Sequence, residues 1–355
     1  MTMNKKIFNL IALCAMMALS FTSCSKDEDP LVELVIPSEY IYVLNSGRMN
    51  SNNASLTMYN LKDGSVTKDI FEAQNGRRLG DTGQDLVVYG SKMYIAMYTE
   101  STIEVTDLEA KSIKRIETGG QPRSFTIHEG KVYVSYVNGY IARIDTASLN
   151  VEATVQVGRN PEQLTVANGK LYVANSGGFD YSTEMGYDRT VSVVDIASFT
   201  ETKKIEVVLN PTEMESDDAG NVYVVSKGNY GDIPNTLQKI NTQTDAVSVI
   251  SDIDGTIITT AGNTLYSVYS QWGVAEIFYY AYNTVNNSVI SGNFIGNTNI
   301  SGPYQINYDA AYESLFITSS DYTNDGDVYI FDKNNTFVNT FEAGLNPMKA
   351  VYVKK

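Results

Sequence analysis

The 355-residue chain has one histidine, one tryptophan, two cysteines and eight prolines. The lone histidine, His128, lies beside Glu129 and Gly130 in a turn signal, so no histidine-rich metal cluster or Ser-His-Asp triad can be assembled. Cys14 and Cys24 both fall near the start, which leaves the rest of the chain without a disulfide and dependent on a large core. Basic residues are also scarce. With 26 Lys and Arg against 41 Asp and Glu, the formal charge is −15, which disfavours phosphate backbones and sets nucleic acid aside as a partner. No window carries a sustained apolar period near 3.6, so little helix is expected beyond the first residues. These absences describe a binding protein without a cofactor rather than an enzyme.

What is present begins at the N-terminus. Lys5 and Lys6 precede an uncharged apolar run over 7–21, too short to span a bilayer. It ends at Phe21-Thr22-Ser23-Cys24, where small residues before a cysteine suit lipoprotein signal cleavage. We therefore expect residues 1–23 to be a lipoprotein signal peptide. Residues 24–37 are then a lipidated Cys24 with a flexible tether, and 38–355 the folded domain. Loss of Lys5 and Lys6 takes the formal charge from −15 to −17.

The folded part repeats itself. A turn, a hydrophobic residue, an aromatic and a small apolar residue recur with the aromatic at Tyr42, Tyr94, Tyr133, Tyr172, Tyr223, Tyr266 and Phe316. Upstream lies a Pro-x-x segment (Pro122, Pro161, Pro211), and downstream alternating runs end at Asp107, Asp145, Asp195 and Asp332. Period-2 alternation of β-branched and aromatic residues between glycine turns predicts four short strands per unit. Seven such units predict an all-β, seven-bladed β-propeller. The run from Gly344 to Val353 repeats an opening strand without a partner, whereas Tyr40 to Asn45 is a partner without an opening strand. Pairing the C-terminal strand with the N-terminal strand closes the ring.

The strand grammar, clearest at Tyr172-Val173-Ala174-Asn175, resembles the Tyr-Val-Thr-Asn type, YncE-like propellers. Ser25-Lys26-Asp27-Glu28-Asp29 resembles the signal that sends lipoproteins of Bacteroidota to the outer face of the outer membrane. The first unit, with Val43 to Gly47, Asn52 to Leu56, Asp69 to Phe71 and Asn75 to Asp81, resembles surface propeller lipoproteins of Bacteroidota that include the cobalamin-capturing BtuG proteins. That resemblance implies capture of a corrinoid such as vitamin B12 and its transfer to a TonB-dependent outer-membrane receptor. The alternative is a surface module for a glycan or protein partner; a propeller hydrolase ranks lower.

In this strand order, the loops before the Pro-x-x strands and after the Tyr-Val strands share one face. They include the long segments 45–53, 175–189, 227–235, 269–275 and 321–327, where binding groups tend to sit. Aromatics suit an apolar macrocycle, and amides and guanidinium groups suit its carboxamide fringe. The candidate contacts are Asn53, Arg78, Tyr98, Arg123, Tyr136, Arg159, Asn175, Tyr181, Tyr230, Trp272, Tyr304 and Tyr322. The oxygen-rich run Asp321 to Asp327 lacks the distal glutamate of an EF-hand and reads as an Asp-Gly turn, so no metal site is expected.

Overall fold

Seven four-stranded antiparallel sheets stand around one axis in the computed structural model, which describes residues 38–271 and 273–355. The signal segment, Cys24 with the whole tether, and Trp272 lie outside the described residues. The opening strands Gly83–Tyr89, Pro122–His128, Pro161–Ala167, Pro211–Ser216, Ile257–Ala261 and Pro303–Asp309 begin blades 2 to 7. Each packs beside the opening strand of the next blade, so these strands line the axis. The opening strand of blade 1 is the last in the chain, Pro347–Lys354. It pairs antiparallel with Glu39–Asn45, with Tyr42 opposite Val351, and closes the ring as the sequence predicts.

The repeated aromatic explains how the blades adhere. All seven copies are at most 7% exposed. Tyr94 sits in one apolar cluster with Phe125, Val132 and Val134 of the following blade, and Tyr223 packs with Ile258 and Leu265 of its own neighbour. Phe316 likewise meets Ile41 and Val43 across the ring closure. Alternation makes this possible, because successive side chains of one strand point to opposite neighbours. The core is therefore a ring of interblade layers.

Helix is confined to a six-residue turn, Ile70–Asn75, and a single 3-10 turn, Gly178–Asp180, among the described residues. The short helix follows the two-residue outer strand Val66–Thr67 of blade 1, and Ile70 and Phe71 bury its inner face.

Candidate functional site

The two residues after each opening proline are aimed at the axis by a local irregularity. The ladder register slips between Pro122 and Phe125, Pro161 and Leu164, and Gly83 and Leu86, with related slips at Pro211 and Pro303. Such a bulge removes residues from the regular alternation and re-aims their side chains. Arg123, Glu162, Gln163, Glu213 and Lys349 consequently line an axial cavity of about 320 Å³. They also sew neighbouring blades together. Arg123 Nε donates to Glu162 at 2.8 Å, and its Nη1 donates to Gln84 at 2.7 Å. Lys349 lies 3.3 Å from Asp85, which accepts from the Phe125 amide at 2.7 Å. Gln163 donates to Glu213 at 2.7 Å and accepts from the Met214 amide at 2.8 Å.

Burial dominates the electrostatics here. It raises the Glu213 carboxyl above its usual range, and pushes Glu215 up to about 7 despite the opposing charge of Lys349. For Lys349 itself, burial opposes the charge, but Asp85 and Glu215 outweigh it and hold the ammonium above its ordinary value. Burial lowers Lys227, whose ammonium donates to the Thr256 carbonyl.

The loop face is built differently. Arg159 donates to Asp180 at 2.6 Å and to the Gly186 carbonyl at 3.0 Å, with Asp188 at 3.7 Å, so one guanidinium pins the whole 175–189 loop. Asp180 and Asp188 turn inward to Arg159 while the loop's apolar side chains turn outward: Phe179 is 58% exposed, Tyr181 65% and Met185 64%. Tyr181 stacks on Tyr187 at 6.2 Å, and Tyr187 meets Tyr230 of blade 5 edge-on at 6.4 Å. Tyr230 and Tyr322, 69% and 65% exposed, both sit at positive φ, 56° and 62°. That conformation is costly for a tyrosine and persists only where its surroundings impose it. Asn229 imposes the first by accepting from the Gly231 and Ile233 amides; Ser320 and Asp321 impose the second by accepting from Tyr322 and from Thr323 and Asn324.

The first-blade signature forms one corner of this face. Asp81 accepts from the Asn50 and Asn52 amides at 3.0 and 2.7 Å, and Arg78 donates to the Asn52 carbonyl at 3.1 Å. Burial works against the Asp81 charge, but bonds from Thr82, Asn52 and Asn50 outweigh it and hold the carboxyl below its usual range.

Residues 39–343 match the family model described as a domain of unknown function, DUF5074. The chain belongs to that family. No curated protein matches it significantly. Among solved structures, this DUF5074 propeller is similar to the hydrazine synthase of Kuenenia stuttgartiensis, with 14% identity, a TM-score of 0.59, and coverage of 78% of this chain and 89% of that one. It is also similar to a putative 6-phosphogluconolactonase from Bacteroides fragilis, with 11% identity, a TM-score of 0.62, and coverage of 89% and 98%. At such identities the likeness is one of fold, which carries no chemistry with it.

Within the DUF5074 domain, the twelve predicted positions separate by environment. Tyr181, Tyr230 and Tyr322 are exposed on the face, as is Arg78. Tyr98 and Tyr304 are half-buried nearer the axis: the Arg123 guanidinium lies 5.9 Å from the Tyr98 ring centre, and Tyr304 meets Tyr322 edge-on at 5.6 Å. Burial pushes Tyr304 up to about 12. Asn53 is exposed, but its Oδ1 is occupied by the Arg48 amide at 2.8 Å. Four positions belong to the scaffold instead. Tyr136, 2% exposed, packs in the core between blades 2 and 3 because its strand alternation turns it inward. Asn175 is fully buried and bonds Thr190, Ser192 and the Gly158 amide. Arg159 is consumed in pinning its loop, and Arg123 in the axial ion pair. Trp272 lies outside the described residues. In 321–327, Asp321 closes a turn and Asp325 pairs with Lys68 at 2.8 Å.

Glu162, Glu213, Glu215, Lys227 and Lys349 were missed by sequence reasoning. Their signal was available at Glu162, Glu213 and Lys349, which are the variable residues of the recurring Pro-x-x phrase.

Proposed function

We propose that this propeller is a surface-held capture protein, tethered through Cys24 to the outer membrane and facing the exterior. Its loop face binds a corrinoid and passes it to a TonB-dependent receptor. The observation that carries this reading is the pair of tyrosines, Tyr230 and Tyr322, held outward at positive φ by dedicated hydrogen bonds. Strained aromatics on pinned loops suit a preformed contact surface. Exposed aromatics rise from blades 4, 5 and 7, while the exposed guanidinium groups Arg48 and Arg78 stand at the corner between blades 1 and 2. In a seven-membered ring, blades 4 and 5 lie across the axis from blade 1. A broad, flat ligand with an apolar body and a polar fringe matches such a distribution better than a small one, which needs a single crevice. The first-blade resemblance to cobalamin-capturing lipoproteins points to the same class.

Titration of cyanocobalamin with the purified protein tests the reading. Saturable perturbation of the visible corrinoid absorption at micromolar protein is the expected result. Absence of any response, with retention on immobilised glycans, would replace the corrinoid by a carbohydrate.

A further inference from the structure

The axial cavity contains chemistry that the capture face does not use. Its lining carries four carboxyl groups, Asp85, Glu162, Glu213 and Glu215, and two cations, Arg123 and Lys349. Two pairings are made: Arg123 holds Glu162, and Lys349 holds Asp85 at 3.3 Å. Glu213 and Glu215 remain. They stand two residues apart on one strand, and therefore on one face of it, about 7 Å from each other along the chain. The polar partner of Glu213 is the Gln163 amide at 2.7 Å, and that of Glu215 is the Thr260 hydroxyl at 3.4 Å. The nearby cations Lys227, Arg123 and Lys349 act on these carboxyls only through space, because none forms an ion pair with either among the described residues. Thr212, beside Glu213 in the lining, has a buried hydroxyl with no partner.

We propose that this cavity is a second binding site, for a small primary ammonium compound with a polar arm, its N–H groups donating to Glu213 and Glu215. Charge argues for the sign of the ligand. With Arg123 on Glu162 and Lys349 on Asp85, Glu213 and Glu215 are the lining carboxyls without an ion-pair partner among the described residues, and above about pH 7, where Glu215 is ionised, a cation between them offsets their charge. Geometry argues against a bare metal ion, since no three acidic, histidine or cysteine side chains among the described residues converge closely enough to ligate one. Volume sets the size. At about 30 Å³ per water, 320 Å³ holds roughly ten waters, enough for a compact molecule of similar heavy-atom count. The Gln305 side-chain amide and the free Thr212 hydroxyl remain to receive the polar arm.

Ethanolamine is the probe, with ethylene glycol as its uncharged counterpart and calcium chloride as the metal control. Calorimetry on the intact protein at pH 8 should show saturable ethanolamine binding and no ethylene glycol binding, and thermal unfolding should rise with ethanolamine only. Glu213→Gln should weaken binding at least tenfold while the protein stays folded. Cyanocobalamin binding should be unchanged in that variant, which separates this site from the capture face. Equal responses to ethanolamine and ethylene glycol, equal affinity in parent and E213Q, or a response to calcium alone would each overturn the proposal.

Discussion

The backbone amide of Gly158 donates to Oδ1 of Asn175 at 3.1 Å, and a Cβ on that glycine would lie 2.3 Å from the asparagine's Cγ. The same latch recurs where the ring closes, with the Gly344 amide on Asn45 at 2.9 Å. In both, the asparagine ends the second strand of one blade and holds the last strand of the preceding one. The asparagine of the Tyr-Val-Ala-Asn phrase is thus an interblade fastener that requires a glycine opposite it.

Asn175→Ala leaves buried groups unpaired and should cost about 1–3 kcal/mol. Gly158→Ala overpacks the same spot and should cost a similar amount. Because removal of Asn175 makes room for the new methyl, the double variant should lose less than the sum. Chemical denaturation of the four proteins reads the coupling; strict additivity would show that the two residues do not act as one latch.

Arg123 and Glu162 form a largely buried pair joining blades 3 and 4. Arg123→Met strands the carboxylate and should destabilise by about 3 kcal/mol. Adding Glu162→Leu should recover part of that loss, as judged by urea midpoints.

Glu215 gives the axis a pH dependence of definite sign. Its folded-state value is raised from 4.5 to about 7, so the native state is favoured while the group is protonated in both states, and that advantage is lost as pH rises through about 7. Relative to Glu215→Gln, the parent should weaken between pH 4.5 and 7 and level off above, by on the order of 1–3 kcal/mol. A stability difference independent of pH would refute the assignment.

Tyr230 should trade stability for contact. Tyr230→Gly relieves the left-handed backbone and should leave thermal unfolding unchanged or raised by a few degrees, while corrinoid affinity falls at least tenfold. Tyr230→Ala, which keeps the strain, should lose affinity without the stability gain. Unaltered affinity in both would remove Tyr230 from the contact surface.

Deleting residues 347–355 removes the opening strand of blade 1 and exposes the Glu39–Asn45 edge. Cooperative thermal unfolding should be lost, and light scattering should report association through the freed edge.

The blades, their number and the closure at Tyr42 and Val351 were legible in the sequence because repetition makes a local pattern global: one strand grammar, read seven times, specifies one architecture. The exposure of Tyr181, Tyr230 and Tyr322 could also be anticipated, since long loops with their own composition lie outside that grammar. The roles of Asn175, Arg159 and Tyr136 were decided only by tertiary structure. Each carries a side chain suited to ligand contact, and only the neighbouring blade or loop shows that Gly158, Asp180 or the Tyr94 layer already occupies it. The axial charges were hidden for a related reason. Arg123, Glu162, Glu213 and Lys349 are far apart in the chain and unremarkable in composition, and only closure of the ring, with a bulge aiming each inward, brings them around one cavity.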